Sequence, residues 1–296
     1  LHCLLHSFPT RRSSDLQPAF SRRIQALEAW AGTDLVDRSS YPTRLTPAGQ
    51  TLYEQSLEML HSLQTTRAML RAHNTAASDM IEFAVPHTLA FTFFPAWLSG
   101  LRKVCGPIKT RLIALNVHDA VLRLVEGNCD LLISYHHSSQ PIQLDADRYE
   151  MLPLGKEVLA PYVKPDEHGK PLYRLPGTVA HPLPYLGYAP GAYLGRVVDL
   201  ILKQDGPTVH LDRVYETDMA EGLKAMAREG HGIAFLPLSA VRKEVQSGKL
   251  VSAGQGREME LDIRIYRERP QPGVKTKRPT QAFWDSLSSI VHSRQS

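Results

Sequence analysis

Cysteine is scarce in this chain. Cys3, Cys105 and Cys129 are odd in number and scattered among 296 residues. That argues against a disulfide framework and predicts a reducing, cytoplasmic setting. Long apolar runs are missing too, since none approaches the roughly 18 residues that span a bilayer. LHCLL at the start is too short for a secretory hydrophobic region, and no small-residue cleavage site follows it. No sign of charge dominates: the net charge is +4 with 22% charged residues, so charge alone announces no nucleic-acid partner. Catalytic signatures are also absent. There is no nucleophile elbow, no P-loop and no Ser/His/Asp order, and GHG at 230–232 precedes a strand instead of forming a dinucleotide fingerprint. Asp119 heads a helix and Asp130 a strand, so they do not make a carboxylate pair. The expectation is a protein that is not an enzyme, uses no cofactor and meets no membrane.

What is present is a dense signal in residues 17–50, QPAFSRRIQALEAWAGTDLVDRSSYPTRLTPAGQ. Pro18 suits the first turn of a helix, where its missing N–H costs nothing. Phe20, Ile24 and Leu27 recur at i, i+4, i+7 and predict one buried helix face. Ser21, Arg22 and Gln25 fall off that stripe and face outward. A polar, arginine-bearing outer face on a core-anchored helix is what a helix-turn-helix inserts into a major groove. After Gly32 a short connecting helix is expected. A hairpin-like wing then carries Arg38 and Arg44 on either side of a Ser-Ser-Tyr-Pro turn, placed to meet phosphates. Thr46-Pro47 reads as an N-cap and a first-turn proline. Four arginines here stand against Glu28, Asp34 and Asp37.

The order QPAFSRRIQALE, L-V-D-R, RLTPAG resembles the winged helix-turn-helix of LysR-type transcriptional regulators. The resemblance implies sequence-specific binding to double-stranded promoter or operator DNA. It assigns Gln17, Pro18, Ser21, Arg22 and Arg23 to base edges and nearby phosphates, and Arg38 and Arg44 to the wing's backbone contacts. In that family two more helices precede the recognition helix, and residues 1–16 are too few to supply them. FPTRRSSDL (8–16) reads like a sequencing-library adapter translated in one frame. Residues 1–16 are therefore expected to be an artefact outside the fold, ahead of a partial DNA-binding domain at 17–46. The alternative is a natural arm that sends Arg11 and Arg12 into a minor groove.

From Pro47 to about Asn74 one long helix is expected, with Leu52, Ser56, Leu60, Leu63 and Leu70 on one stripe. A lone helix of that length needs a partner. The resemblance supplies its twin in a homodimer or tetramer, so 47–78 is read as linker and hinge. Beyond it, strands and helices alternate: MIEFAV, TRLIAL and CDLLISY with helices between them predict a parallel α/β sheet. A second alternating set follows through IAFLP, and ELDIRIYRER returns to the first. The fold class is thus α+β overall: a partial winged helix-turn-helix, a long linker helix, and a two-lobed α/β clamshell like that of periplasmic binding proteins. Lobe I is expected at 79–156 and 258–292, lobe II at 157–257.

Ligands of such clamshells sit at the carboxyl ends of strands, between the lobes. That places His87, Thr88, Tyr135, His136, Tyr188 and Met219 around a cleft whose helix N-termini favour anions. Adjacent His136 and His137 point to opposite sides of a strand and do not chelate one metal ion. Cys105 and Cys129 sit in apolar contexts that make inert thiols. The runs VHDAVLRLVEGNCDLLISYHH, KPDEHGKPLY, PYLGYAPGAYLGR and TDMAEGLKAMAREGHGIAFLP resemble the hypochlorite-response branch of LysR-type regulators. That resemblance implies an oxidant effector and makes Met219, in TDMAEGLK, a candidate for oxidation. Leu194 stands where that branch can carry a methionine. The rival readings are a regulator sensing a small organic anion, and a soluble solute-binding module without DNA function.

Overall fold

The computed structural model describes residues 16–39, 43–56, 59, 63, 66, 79–270 and 277–295. The chain divides into two compact units, Leu1–Ala68 and Met69–Ser296. Residues 1–15, and with them Arg11, Arg12 and most of the adapter-like segment, lie outside the described residues.

In the first unit α1 spans Leu16–Ala31, so Leu16 belongs to the helix and not to a segment outside the fold. Gly32 follows at φ +67, a left-handed backbone that glycine adopts without strain. It turns the chain at once, and residues 32–35 form a turn where a connecting helix is expected. Strands β1 (Val36–Asp37) and β2 (Arg44–Leu45) pair antiparallel, Val36 opposite Leu45 and Asp37 opposite Arg44. This is the expected wing; Ser40, Tyr41 and Pro42 lie outside the described residues.

Helix α2 (47–56) starts at the expected cap: Thr46 Oγ1 accepts the Gly49 N–H at 3.0 Å. Residues 59, 63 and 66 are also helical. Leu60, Leu70 and the hinge at 74–78 lie outside the described residues. The apolar stripe of α1 is less buried than its spacing predicts. Ile24 is half-buried, Leu27 is 41% exposed and Trp30 76% exposed. Spacing shows which side chains share a face, not whether anything covers it.

The second unit is built on a nine-stranded sheet in the order β4 (109–115), β3 (80–86), β5 (131–136), β11 (259–268), β6 (149–163), β9 (233–237), β7 (183–188), β8 (211–217), with β10 (251–252) paired to β6. Its first half holds β3 (Met80–Pro86), β4 (Lys109–Leu115) and β5 (Leu131–His136), all parallel. Phe83, Ala84, Val85 and Leu131 to Ile133 are fully buried, as continuous apolar strands covered on both faces must be. Helices α3 (His87–Thr92), α4 (Phe94–Cys105) and α5 (Val117–Val125) connect them. Between β3 and β4 the chain forms two helices, α3 and α4, broken at Phe93. Pro95 explains the break, because it suits the first turn of α4 and cannot continue α3.

The second half holds β7 (Leu183–Tyr188), β8 (Leu211–Thr217) and β9 (Ile233–Pro237), again parallel. Its helices are α6 (Tyr193–Leu202), α7 (Ala220–Glu229) and α8 (Leu238–Gln246). The short β10 (Val251–Ser252) pairs with β6 (Tyr149–Val163), which runs antiparallel to β11 (Met259–Glu268). These two long strands cross between the halves. Their register jumps from Gly155 opposite Ile263 to Pro153 opposite Arg264, leaving Leu154 as a bulge that bends the crossover. Helix α9 (Arg278–Gln295) closes the chain and buries Phe283, Trp284 and Leu287. No helix among the described residues is long and apolar enough to cross a membrane.

Candidate functional site

Two surfaces carry the expected functional residues. On the first unit, Ser21, Arg22 and Arg23 are all exposed on α1, and Arg44 is exposed on the wing. Gln17 and Pro18 lie in the first turns of the same helix. Arg38 is committed in part: its Nη2 donates to Glu28 Oε2 at 2.7 Å. Glu28 is a residue that sequence reasoning passed over as one acid among three. Its carboxylate also accepts the Leu35 N–H at 3.1 Å and the Val36 N–H at 3.2 Å. The Arg38 guanidinium, followed by those backbone donors, holds its pKa below the ordinary carboxylate value. Glu28 therefore clamps α1 to the wing, and the lowered pKa keeps the clamp charged at neutral pH. As pH falls through the carboxylate range the clamp is lost.

In the second unit a cleft of about 1010 Å³ opens at the carboxyl ends of β3, β4, β5, β7 and β8. His87, Thr88, Tyr135 and Tyr188 line it, as the strand ends predict. His136 and Met219 do not line it. Alternation along β5 turns the His136 side chain to the face of the sheet opposite Tyr135; on the antiparallel ladder its backbone stands opposite Asp262 of β11. Burial, and then the Arg264 charge, lowers the His136 pKa. Met219 is the extended N-cap of α7, 39% exposed. Its neighbour Asp218 faces the cleft, so the next side chain along an extended backbone points the other way.

The cleft also holds residues that strand-end reasoning missed. Asn116 Nδ2 donates to Asp218 Oδ2 at 3.1 Å, joining the two halves across the mouth. On the opposite side, Tyr193 Oη donates to the Gln140 carbonyl at 3.0 Å and Arg196 Nε to Gln140 Oε1 at 3.3 Å. Arg196 lies over the Tyr193 ring at 5.6 Å, and that ring stacks on Tyr135 at 6.5 Å. Tyr193 and Arg196, three residues apart in the first turn of α6, were the available signal for these contacts. The Tyr135 and Tyr188 hydroxyls are buried, and among the described residues neither has a hydrogen-bond partner. Burial pushes both pKa values well above the ordinary tyrosine value, so each hydroxyl keeps its proton to donate. An unpaired buried donor costs about 1–3 kcal/mol. Helices α5 and α6, whose N-caps Asn116 and Ala192 line the cleft, have no side-chain cap. Free N–H groups at such ends favour an anion.

Cys105 is half-buried and Cys129 buried, both free thiols; burial pushes the Cys129 pKa up to about 12. Among the described residues no cluster of His, Cys, Asp or Glu is placed to hold a metal ion.

Comparison with known proteins matches both surfaces to family models. Residues 16–50 match the bacterial regulatory helix-turn-helix protein, LysR family, and residues 75–289 the LysR substrate binding domain. The chain is similar to the HTH-type transcriptional regulator YjiE of Escherichia coli K12, 32% identical over 276 residues, covering 93% of this chain and 86% of that one. It is 29% identical to the HTH domain-truncated transcriptional regulator QseD of Escherichia coli O157:H7, over 84% of this chain and 97% of the relative. Among solved structures it is similar to full-length HypT from Salmonella typhimurium, described as a hypochlorite-specific LysR-type transcriptional regulator. The TM-score is 0.60 and the identity 27%, over 94% of this chain and 89% of that one. It is also similar to DarR of Vibrio fischeri in complex with DNA, with a TM-score of 0.58 and 26% identity over 93% and 89% of the two chains.

Proposed function

Because the chain belongs to the LysR family of DNA-binding transcriptional regulators, we propose that it is the oxidant-responsive kind, with Met219 as the residue that reports the oxidant. The observation that carries this reading is the position of Met219. It caps α7 without a side-chain hydrogen bond, is open to solvent, and adjoins Asp218 of the Asn116–Asp218 bridge. Oxidation to the sulfoxide turns a soft apolar side chain into a polar acceptor. That acceptor arises beside the free N–H groups of the α7 first turn, where an N-cap oxygen stabilises a helix. Repacking there reaches the bridge directly. The description of HypT as hypochlorite-specific supports the reading. Met219→Ile keeps the apolar bulk and removes the oxidisable sulfur. It is expected to bind the gene's upstream DNA as the parent does and to lose the hypochlorite-dependent change in fluorescence anisotropy. An unchanged oxidant response in that variant sinks the proposal.

A second reading rests on the uncapped N-termini of α5 and α6 at the cleft: a small organic anion seated there, its charge on those helix ends. On either reading the protein works in the cytoplasm as a homodimer or tetramer, with Gln17, Pro18, Ser21, Arg22 and Arg23 reading the DNA and Arg38 and Arg44 holding the wing. Arg22→Ala is expected to cost about 1–3 kcal/mol of operator binding and to relax specificity at one base pair. An equal loss on every sequence would make Arg22 a phosphate contact instead.

A further inference from the structure

The back of the second unit carries another cavity, a groove of about 780 Å³ on the side of the crossover strands. Its floor is apolar. Phe93 and Trp97 stack at 6.0 Å and 23° to form a ledge, and Leu154, Ile263, Leu287 and Ile290 continue it. Three features set it apart from ordinary surface relief.

First, it lies on the crossover between the two halves. Leu154, the bulge of β6, lines the groove together with residues from α4, α8, β11 and α9. Second, its end is held by a polar tie between the halves. Buried Glu157 accepts the Ser239 N–H at 3.2 Å and the Ser239 hydroxyl, and that hydroxyl contacts Thr92 Oγ1 at 3.0 Å. Glu157 belongs to the crossover, Thr92 to α3 and Ser239 to α8, so the groove is bounded by the element that must bend and by one helix from each half. Third, its rim is cationic. Lys156 is spoken for by Glu260 and Asp262, each at 2.8 Å. Arg242 and Lys243 line the groove from α8, both exposed, and among the described residues no acid pairs with them. The Glu157 carboxylate also lines the groove and, bonded by neutral donors, keeps its charge, so Arg242 and Lys243 set two positive charges against one negative at the rim.

We propose that this groove is a second small-molecule site, for an amphipathic monoanion: an aromatic or alicyclic body on the Phe93–Trp97 ledge and a carboxylate or sulfonate on Arg242 and Lys243. A body of that kind buries apolar area that is otherwise wet, and the size of the groove falls within the range of ligand pockets. Occupancy wedges between α4 and α8 against the bulge. It therefore biases the angle between the halves, and with it the Asn116–Asp218 bridge on the far side.

The test uses the full chain and 8-anilinonaphthalene-1-sulfonate, an apolar anion whose fluorescence rises on burial, excited by energy transfer from the three tryptophans, of which Trp97 lines the groove. Saturable binding is expected. Gly100→Leu fills the groove without strain, because a Cβ at Gly100 meets nothing within 4 Å. It should weaken binding by about tenfold, and Arg242→Glu by a similar factor of about tenfold. Arg242→Glu is a surface change on the far end of a long side chain, so it reads the site even if Gly100→Leu disturbs α4. Tyr188→Phe, in the cleft, should leave the probe's affinity unchanged. The proposal is overturned if neither groove variant weakens binding, or if Tyr188→Phe alone does, which would place the probe in the cleft. Apparent affinity that falls as protein concentration rises would overturn it too, since a second copy of the chain would then occupy the groove.

Discussion

Gly49→Ala is expected to cost operator affinity by more than about tenfold while the second unit stays folded. The first turn of α2 rides against the backbone that enters the wing. A Cβ at Gly49 would stand 2.0 Å from the Leu35 carbonyl oxygen, 2.9 Å from its carbon and 3.2 Å from the Leu35 Cα. All three are backbone atoms, so no rotamer change relieves the clash. The helix cannot simply back away, because it is fastened at that point. The Thr46 N–H donates to the same Leu35 oxygen at 3.0 Å, and the Thr46 hydroxyl to the Asp34 carbonyl at 2.7 Å. Overpacking typically costs about 1–3 kcal/mol, and each bond broken to relieve it adds about 1 kcal/mol. The wing carries Arg38 and Arg44, so it moves with the loss. Anisotropy titrations on upstream DNA at fixed salt measure the affinity. Amide exchange at Thr46 gives a reading that does not depend on DNA. Wild-type protection there, together with wild-type affinity, would show that the close approach does not hold the wing.

This glycine also shows how a sequence signal and its cause differ. RLTPAG is legible as a helix start: Thr46 caps, Pro47 opens the helix and Arg44 precedes. That Gly49 is needed for a backbone contact fourteen residues upstream emerges only when Leu35 is seen beneath it. The same holds for Glu28. Its position on α1 is legible, but its partners Leu35, Val36 and Arg38 reach it only after Gly32 turns the chain. Local patterns gave the parallel strands, because runs such as LLIS in β5 are apolar without a break. They did not reveal the first eight residues of β6, where Pro153 and Gly155 interrupt any apolar run. In the structure those residues sit at the bulge, where a missing donor and a missing side chain are tolerated.

The cleft was legible to the extent that strand ends define it, and not beyond. His87, Thr88, Tyr135 and Tyr188 follow from topology alone. Facing decides the rest, and facing depends on the phase of each strand: one step along β5 separates buried Tyr135 from His136, and one step past β8 separates Asp218 from Met219. Asn116, Gln140 and Arg196 were missed for another reason. They act across the mouth, from segments whose distance in sequence hides that they meet. The resemblance to an oxidant-responsive branch thus put weight on Met219 as a cleft residue. The structure moves it to the surface one step away, where a solution oxidant can reach it.

Phe83→Ala is expected to destabilise the second unit by about 3–5 kcal/mol. Phe83 is fully buried in β3 and is the common neighbour of three rings. Its centroid lies 5.1 Å from Phe94, 6.1 Å from Trp97 and 5.7 Å from Phe283, each pair edge-on. Edge-to-face pairs add about 0.5–1.5 kcal/mol each beyond the area they bury. Removing the ring therefore leaves a cavity and strips the contact that three elements, β3, α4 and α9, have in common. For a unit of this size the midpoint of thermal unfolding should fall by roughly 6–20 °C. Phe83→Leu keeps most of the volume and should fall much less, which separates loss of packing from loss of hydrophobicity. A drop below about 1 kcal/mol in the alanine variant would mean that Phe94, Trp97 and Phe283 collapse into the gap. Trp97 would then leave the ledge it makes with Phe93, and the groove at the crossover would lose its floor. The same variant therefore reports on the core through its melting point and on the groove through the fluorescence of the anilinonaphthalene probe.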